Sequence, residues 1–405
     1  MTAERTLGEI LEPTPLQKNR NLSQEYGGTV YLKREDLQMV RSYKIRGAYN
    51  KMKSLTAEER ARGIVCASAG NHAQGVAYSC SKLGIKGKIF MPVTPKQKIG
   101  QVKMFGGEYV EIILTGDTFD ASSKGAALEC EKNNMVFIHP FDDERIIEGQ
   151  ATVGLEILQK TTEPIDYVFV PVGGGGLLSG VGSVFKQLSP ATKVIGVEPL
   201  GAAGMKKSIE NGRVTSLDEI DKFVDGAAVQ RVGDTTFEIC RRVCDDIVVV
   251  PEGKVCTTIL RLYNADAIVA EPAGALSIGA LDFYRDKIKG KNVVCIVSGS
   301  NNDITRMEEI KERSLLYEGL KHYFIVEFPQ RAGALKNFVN NILGPTDDIT
   351  YFEYKKKIQR EKGPALIGIE VQKPEDYKEL VKRMDKDGIK YQYINDNVSL
   401  FELVI

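Results

Sequence analysis

A glycine run is the first feature of the sequence that could do chemistry. Four consecutive glycines, Gly173, Gly174, Gly175 and Gly176, separate an apolar run at 167–172 from an apolar segment of helical character. Glycines at such a strand-to-helix junction let backbone N–H groups converge on an anion with no Cβ in the way, and the helix dipole adds positive potential. We interpret the run as a phosphate cradle in preference to a flexible loop, because flexible loops rarely interrupt an apolar junction.

The glycines alone do not identify the phosphate. The segment contains neither the nucleotide-binding pattern GxxxxGK[ST] nor a convincing GxGxxG. Glu198 ends the next predicted strand, so dinucleotide binding stays a weaker alternative. A phosphate cradle without a nucleotide fingerprint makes pyridoxal phosphate a candidate, and that cofactor needs a lysine for a Schiff base and a partner for its ring nitrogen.

Lys44 is the candidate lysine. It lies at the start of a predicted helix at 43–54, although by composition alone any single lysine is far more often a solvated surface residue. Two further polar turns follow predicted strands: Asn71 and its neighbours after 63–68, and residues 299–302 after 292–298. Because ligands gather at the carboxyl ends of parallel strands, we expect these turns to lie near the glycine run.

The elements that must position these residues alternate in type. From about residue 30 to 300, short β-branched runs alternate with helical patterns, and several runs are apolar throughout, as in strands covered by helices on both faces. The sequence therefore predicts a doubly wound α/β body. After about residue 300, a charged helix at 305–317 precedes strand, helix, strand, strand, helix and a final strand at 398–405, an order typical of a ferredoxin-like α+β unit.

Composition argues against several classes of protein. Lys and Arg together number 54, as do Asp and Glu. The sequence therefore has no excess of positive charge with which to bind nucleic acid or an anionic membrane. The uncharged stretch 167–185 is broken by Pro171 and by its glycines, and the N-terminal segment lacks the apolar core of a signal peptide. We expect a cytoplasmic protein with neither nucleic acid nor a membrane as a partner.

The seven cysteines form no recognisable framework. Only Cys240 and Cys244 are close enough to share a helix face, and His72, His139 and His322 lie far from them in the sequence. We expect buried, reduced thiols and no zinc site.

Five motifs spread over about 270 residues carry a resemblance to a known family. They are Lys-Arg-Glu-Asp-Leu-Gln at 33–38, Ser-Tyr-Lys-Ile-Arg-Gly-Ala at 42–48, Ala-Ser-Ala-Gly-Asn-His-Ala-Gln-Gly at 67–75, Gly-Gly-Gly-Gly-Leu at 173–177 and Ser-Gly-Ser-Asn at 298–301. In these motifs the chain resembles the threonine dehydratases, which are fold-type II pyridoxal-phosphate enzymes with a fold like that of the tryptophan synthase β subunit. The segment KHYFIVEFPQRAGALKNFV also resembles the start of the single ACT-like regulatory domain of the biosynthetic members.

The resemblance implies two domains. Residues 1–320 would form the catalytic domain, with two α/β subdomains of which the smaller spans about 40–140, and with a linker helix at about 303–318. Residues 321–397 would form the ACT-like regulatory domain, with a terminal strand that continues to 405.

The resemblance also implies roles for individual residues. Lys44 would form the Schiff base with pyridoxal phosphate and then move the α-proton of the substrate, Asn71 would hydrogen-bond the 3-oxygen of the ring, and Ser298 would face the ring nitrogen. The phosphate would be bound by the backbone of Gly173, Gly174, Gly175, Gly176 and Leu177. The substrate carboxylate would be bound by the turn of Ser68, Ala69, Gly70, Asn71 and His72.

The reaction implied is the dehydration and deamination of L-threonine to 2-oxobutanoate and ammonia, the first step of isoleucine biosynthesis, with serine as a weaker substrate. A neutral Ser298 leaves the ring nitrogen largely unprotonated, which favours elimination over transamination. The leaving hydroxyl needs a proton donor, and the cofactor phosphate and Lys44 are both candidates. Serine racemases of this fold carry a serine where this chain has Ala69, so we expect dehydration without appreciable racemisation.

Effector binding is expected in the small domain. Arg331, Gly333, Ala334 and Leu335 belong to the junction between its first strand and its first helix, where N–H groups suit an amino-acid carboxylate. The resemblance implies isoleucine as the feedback inhibitor, valine as a candidate opposing effector, and a homotetramer. The family usually has proline where this chain has Ala332, a change that loosens the loop. The alternative for this domain is an oligomerisation module without a ligand.

Several interpretations stay open at this point. Glu271 and the turn 225–228 recur around the family's active sites and could help to bind a cation, or they could be a helix cap and a plain turn. His72 is expected to be structural rather than a general base. For the whole chain, the alternatives are another pyridoxal-phosphate β-elimination enzyme without isoleucine control, and an amino-acid sensor that has lost catalysis.

Overall fold

The computed structural model describes residues 2–93, 96–117, 119–354, 361–397 and 400–401. The chain forms two compact units, Met1–Asp303 and Ile304–Ile405. The charged helix predicted as a linker therefore belongs to the second unit. The functional domain limits at 320 and 321 stay a prediction.

Both units contain β-strands. In chain order the strands are β1 (Leu16–Asn19), β2 (Thr29–Arg34), β3 (Ile64–Ala67), β4 (Gly87–Met91), β5 (Val110–Leu114), β6 (Val136–Phe137), β7 (Tyr167–Pro171), β8 (Lys193–Pro199), β9 (Asp246–Val250), β10 (Asn292–Val297), β11 (Lys321–Pro329), β12 (Asp348–Tyr354), β13 (Lys362–Glu370) and β14 (Tyr391–Tyr393).

Helices connect most of these strands. In chain order the helices are α1 (Thr2–Leu7), α2 (Arg20–Tyr26), α3 (Lys44–Lys53), α4 (Ala57–Arg62), α5 (Asn71–Leu83), α6 (Lys96–Gly106), α7 (Phe119–Asn133), α8 (Glu144–Lys160), α9 (Gly176–Leu188), α10 (Gly204–Glu210), α11 (Asp234–Val243), α12 (Glu252–Asp266), α13 (Pro272–Gly279), α14 (Arg285–Ile288), α15 (Met307–Tyr317), α16 (Ala334–Asn341) and α17 (Asp376–Lys386).

The first unit is built on two sheets. The larger sheet has the order β1-β2-β10-β7-β8-β9, and its neighbouring strands are parallel except for β1, which pairs antiparallel with β2. The smaller sheet has the order β5-β4-β3-β6 and is parallel throughout. Strands β3, β7 and β10 are buried along nearly their whole length, as expected where helices cover both faces. The predicted doubly wound α/β body is confirmed.

The path of the chain brings distant segments together. The chain leaves the larger sheet after β2, builds the smaller sheet from β3 to β6, and returns through α8 to β7. Strands β2, β10 and β7 are consequently neighbours in the larger sheet, although they are far apart in the sequence. Because parallel strands end at one edge of a sheet, the residues that follow these three strands meet there.

The second unit is a four-stranded sheet in the order β12-β13-β11-β14, with every neighbouring pair antiparallel. Its strands and the helices α16 and α17 follow the predicted ferredoxin-like order, around a core that includes Phe324, Ile367 and Leu380. The prediction of the last strand was wrong, because the fourth strand is β14. Residues 400–401 of the predicted strand are helical, and the rest of it lies outside the described residues.

Two sequence expectations bear on the environment of the chain. Over the described residues, no helix has both the length and the apolar character needed to cross a membrane. All seven cysteines are free thiols. Burial raises the pKa of the Cys66 and Cys240 thiols above the ordinary value, so both behave as small apolar core residues.

Candidate active site

A pocket at the carboxyl edge of the larger sheet collects residues from the separate motifs. Lys44 comes after β2, Ser298 follows β10, and Gly173 comes after β7. Asn71 reaches the same pocket from the smaller sheet, as the first residue of α5. The pocket is lined by Tyr43, Lys44, Asn71, Pro171, Gly173, Gly226, Ala227, Glu271, Ala273 and Ser298.

Lys44 has an amine suited to chemistry near neutral pH. Its Nζ donates a hydrogen bond of 2.8 Å to the backbone oxygen of Pro140 and lies 5.6 Å from the centre of the Tyr43 ring. Burial lowers the pKa of Lys44 to about 8, although the charge of Glu271 opposes this shift. A partly neutral amine can act as a nucleophile or as a base.

A buried network of charges holds the helix that carries Lys44. Arg46 in α3 donates to Glu35 at 2.8 Å and to Glu156 of α8 at 2.6 Å, and Lys33 of β2 pairs with the same Glu156. The side chains of Lys33 and Arg46 are 0% and 1% exposed. Because removal of one partner would leave an uncompensated buried charge, the network ties β2, α3 and α8 together.

Backbone hydrogen bonds join the segment before Lys44 to the segment after β10. The N–H of Tyr43 donates to the backbone oxygen of Ser298 at 3.2 Å, and the N–H of Ser300 donates to that of Arg41 at 2.9 Å. The Ser298 side chain is buried. These bonds fix Lys44 relative to Ser298 across the edge of the sheet.

The Asn71 side chain is bonded at both ends of its amide. Its Nδ2 donates to Oε1 of Glu271, and its Oδ1 accepts from Nδ2 of Asn301, each at 2.6 Å. Glu271 is buried, and burial raises the pKa of its carboxyl to about 7, with a further rise from the charge of Asp225. A carboxyl that titrates near neutral pH therefore lies beside the pocket.

The glycine run turns the chain from β7 into α9. Gly175 has a φ of +95°, in the left-handed region, and a Cβ on it would lie 2.7 Å from Cε of Met205 and 2.9 Å from Cβ of Thr236. In the part of the chain that the structure describes, the N–H groups of residues 173–177 donate to no protein acceptor. These donors are available to an anion at the N-terminus of α9, where the helix dipole adds positive potential.

In the turn after β3, a backbone N–H group bonds to a serine side chain, and two other side chains pack into the protein. The N–H of Gly70 donates to Oγ of Ser68 at 3.2 Å, while Ala69 packs against the core of the smaller sheet. His72 is buried, and its Nε2 donates to the backbone oxygen of Ile138 at 2.9 Å. Burial lowers the pKa of His72 to about 3, so the imidazole is neutral and committed to the fold.

Glu198 is also committed to the fold. Its two carboxylate oxygens accept the N–H groups of Met205 and Lys206 at 2.7 Å and 2.8 Å, at the start of α10. Burial raises the pKa of this carboxyl to about 7. Because both oxygens have donors inside the protein, the residue does not support the dinucleotide alternative.

The residues considered for a cation have other partners. Glu271 is bonded to Asn71, and Asp225 pairs with Lys98 at 2.7 Å, while Gly226 and Ala227 form part of the pocket wall. The described residues contain no group of three or more His, Cys, Asp or Glu side chains that could hold a metal ion.

Comparison with known proteins identifies the family of the chain. The family described as "Pyridoxal-phosphate dependent enzyme" matches residues 8–299, and the "C-terminal regulatory domain of Threonine dehydratase" matches residues 312–404. Proteins named L-threonine dehydratase biosynthetic from Halalkalibacterium halodurans and Bacillus subtilis are 61% and 58% identical to the chain; the matches cover 100% of the chain and 97% and 96% of those relatives. The chain belongs to the threonine dehydratase family.

The fold of the chain is similar to that of solved enzyme structures. The processed form of threonine deaminase isoform 2 from Solanum lycopersicum is 41% identical, with a TM-score of 0.74, over 77% of this chain and 91% of that chain. Maize serine racemase is 29% identical, with a TM-score of 0.72, over 78% of this chain and 96% of that chain. The predicted fold-type II architecture with a C-terminal regulatory domain is confirmed.

The cofactor of this dehydratase is pyridoxal phosphate, and the pocket has the groups to hold it. Lys44 offers an amine of lowered pKa, and the N–H groups of residues 173–177 offer an anion site. Asn71 and Ser298 line the same pocket and offer neutral hydrogen-bonding groups for a ring. The roles of these individual residues stay predictions.

The predicted effector residues of the dehydratase lie at the start of α16 in the second unit. Arg331, Gly333 and Leu335 are exposed, and Ala334 is half-buried. Gly333 precedes the helix with a φ of +83°, and a Cβ on it would meet no atom within 4 Å. The loop is therefore open to solvent, and its role in binding an effector stays a prediction.

Sequence reasoning missed two contributors to the site. Asn301 lies in the motif at 298–301, but the sequence does not predict its contact with Asn71. For Glu271 the sequence suggests a cation ligand or a helix cap rather than a partner of Asn71. The signal available in the sequence was that both residues occur in short motifs directly after predicted apolar runs.

Proposed function

We propose that the chain converts L-threonine to 2-oxobutanoate and ammonia, as the first step of isoleucine biosynthesis, and that L-serine is a weaker substrate. The observation that carries the proposal is that Lys44, Asn71, Gly173 and Ser298 line one pocket in a chain of the threonine dehydratase family. The names of the relatives support threonine as the substrate. A pocket built for threonine would lose only a methyl contact with serine, which corresponds to about 1–3 kcal/mol of discrimination.

The pocket residues divide the task of holding the cofactor. Pyridoxal phosphate, when bound, supplies an electron sink that makes the Cα–H group of an amino acid acidic. The N–H groups of residues 173–177 would bind its phosphate, and Asn71 would donate to its ring oxygen. Ser298 would present a neutral hydroxyl to the ring nitrogen and leave that nitrogen largely unprotonated, which favours elimination over transamination.

Lys44 moves the protons of the reaction. Its Nζ would first take the proton from Cα of the substrate. The hydroxyl would then accept a proton and leave as water as the bond between Cβ and its oxygen breaks, and the Nζ of Lys44 and the cofactor phosphate are the candidate donors. A second molecule of water would add at Cα and release ammonia, which leaves the 2-oxo acid. The hydrogen bond to the backbone oxygen of Pro140 orients the free amine of Lys44.

Ala69 limits the chemistry to one face of the substrate. The turn at the N-terminus of α5 binds the substrate carboxylate through backbone N–H groups. Ala69 has no hydroxyl with which to return a proton to the face opposite Lys44. We therefore expect L-serine to give pyruvate without D-serine, as measured by chiral chromatography. Ala69→Ser is the comparison variant, because it introduces a hydroxyl at this position. D-serine formed by the unaltered chain at a rate near that of pyruvate would contradict this role.

The proposed activity is tested with purified protein supplied with pyridoxal phosphate. We expect L-threonine to release 2-oxobutanoate, L-serine to release pyruvate more slowly, and Lys44→Ala to release neither. No 2-oxo acid from either substrate would contradict the lyase and favour the sensor alternative. Lys44→Ala with full activity would contradict the mechanism.

We also infer that isoleucine inhibits the enzyme through the loop with Arg331 and Gly333, that valine opposes it, and that the protein is a cytoplasmic homotetramer. The match of residues 312–404 to a regulatory domain supports an effector site in the second unit. Threonine turnover measured with and without isoleucine tests the regulation, and light scattering tests the assembly. Turnover that is insensitive to isoleucine would keep the lyase and favour an enzyme without isoleucine control.

A further inference from the structure

The two ends of the Asn71 amide have different partners. An asparagine side chain can turn by 180° and exchange its N–H and C=O groups, so its partners must set its orientation. In this fold Asn301 donates to Oδ1 of Asn71, and Nδ2 of Asn71 donates to Glu271, both at 2.6 Å. If the Asn71 amide were turned, its N–H group would face the N–H group of Asn301, and its oxygen would face the carboxyl oxygen of Glu271.

Asn301 is itself held in one orientation. Its Nδ2 also donates to the backbone oxygen of Val40 at 2.9 Å. A carbonyl oxygen can only accept, so Nδ2 of Asn301 must lie on this side of its amide. The direction of donation is therefore fixed along the series, from Asn301 to Asn71 and from Asn71 to Glu271.

Glu271 is held at the other end of the series. Its N–H donates to the backbone oxygen of Gly299 at 3.1 Å, and its carboxyl accepts the backbone N–H of Asn301. A Cβ on Gly299 would overlap Oε1 of Glu271, so glycine leaves the space that the carboxyl needs. Burial raises the pKa of this carboxyl to about 7, and in either protonation state an oxygen remains to accept from Asn71.

We propose that Asn301 and Glu271 are positioning residues, which hold the amide of Asn71 so that its second Nδ2 hydrogen, and not its oxygen, is available to the ring oxygen of pyridoxal phosphate. We call these two residues the amide clamp. The inference rests on the proposed function, in which Asn71 binds the cofactor ring. Without the amide clamp, a turned amide would present an acceptor to an electron-rich oxygen of the cofactor.

The replacement Asn301→Asp tests the amide clamp with almost no change in side-chain size. It removes the donor to Asn71 and favours the turned amide. We expect the dissociation constant of pyridoxal phosphate, from titration of the apo protein, to rise about tenfold or more, because a hydrogen bond to the cofactor is lost. We also expect the absorption maximum of the bound cofactor to shift. Asn211→Asp makes the same chemical change at an exposed turn and should alter neither property.

A double variant separates positioning from general stability. In Asn301→Asp combined with Glu271→Gln, the new carboxylate accepts from Asn71 and the new amide donates to it, so both contacts of Asn71 are complementary again with their direction reversed. The contact of residue 301 with the backbone oxygen of Val40 is not restored. We therefore expect the melting temperature of the apo protein to recover the part of the loss in Asn301→Asp that comes from the contacts of Asn71. Cofactor affinity and the absorption maximum should not recover, because the Asn71 oxygen then faces the cofactor.

Two results would overturn the inference: an unchanged affinity and spectrum in Asn301→Asp, or an affinity that recovers in parallel with the melting temperature in the double variant. These results are distinct from a failure of the proposed function. A wild-type chain that binds pyridoxal phosphate but forms no 2-oxo acid would contradict the proposed function, while the affinities would still decide the role of the amide clamp. A wild-type chain that binds no pyridoxal phosphate would contradict both.

Discussion

The reactivity of Lys44 comes from burial rather than from a neighbouring base. Among the described residues, its hydrogen-bond partner is the backbone oxygen of Pro140, and the nearby imidazole of His72 is bonded to the backbone oxygen of Ile138. The positive charge of Lys44 also helps to lower the pKa of His72, so the two groups avoid being charged together. The lysine is therefore the group in this pair that carries the proton near neutral pH.

The lowered pKa of Lys44 predicts how cofactor capture depends on pH. Only the neutral amine attacks the carbonyl of pyridoxal phosphate, so the capture rate should rise with pH and level off above about pH 8. At pH 7 about one tenth of such amines are neutral, against about four in ten thousand for an ordinary lysine. Stopped-flow absorbance on the apo protein measures this rate, with Lys44→Ala as the control that should show no covalent capture. A rate that still climbs steadily past pH 9.5 would indicate an ordinary lysine.

Single residues show what the sequence could and could not predict about the site. Lys44 and Ser298 were predictable because each lies at a strand-to-loop junction within a recognisable motif. The partners of Asn71 were not, because Glu271 and Asn301 are separated from it by 200 and 230 residues. A motif identifies the chemical group, whereas the direction of its hydrogen bonds depends on atoms that only the folded chain brings together.

At the level of elements, apolar patterning predicted the buried strands and their helices closely. Two strands of the first unit were missed, β1 and β6. β1 is a polar run of four residues that gains its strand form by pairing with β2 at an edge, and β6 has only two residues. The prediction of a terminal strand was wrong for the opposite reason: the apolar run at 398–405 has the composition of a strand, but the short β14 pairs with β11 instead. Pairing at sheet edges depends on the partner strand more than on local composition.

The junction between β7 and α9 gives an element-level prediction. Gly175→Ala should weaken pyridoxal phosphate binding and lower the free energy of unfolding by about 2–3 kcal/mol, because the residue has a φ of +95° and its new Cβ would crowd Met205 and Thr236. Gly212→Ala is the matched control, since Gly212 has a φ of +69° and no atom within 4 Å of the added Cβ. It should cost about 1 kcal/mol from strain alone and leave cofactor binding unchanged.

Urea unfolding and cofactor titration measure the two variants side by side. Equal losses of stability in Gly175→Ala and Gly212→Ala would contradict the packing role of the junction. Unchanged cofactor affinity in Gly175→Ala would contradict the role of the glycine run as the phosphate site.

At the level of the whole molecule, the chain has two compact units with different kinds of sheet. The unit with the pocket has mainly parallel strands, whose carboxyl ends lead into loops at one edge of the sheet. The second unit is an antiparallel sheet with its proposed effector loop at the start of α16. Because substrate and effector are proposed to bind to different units, a change in the effector loop should alter coupling without altering catalysis.

Arg331→Ala is the variant that tests this separation. Arg331 is exposed and lies outside the unit that contains the pocket, so kcat and KM for threonine should be unchanged when isoleucine is absent. The isoleucine concentration for half-inhibition should rise about tenfold, as expected for the loss of a charged hydrogen bond to a carboxylate. Lys382→Ala, at a side chain of α17 that is 71% exposed, should leave isoleucine sensitivity unaltered. Binding linkage requires that threonine weaken isoleucine binding by the same factor with which isoleucine weakens threonine binding. If Arg331→Ala kept full isoleucine sensitivity, the effector site would have to lie elsewhere than in this loop.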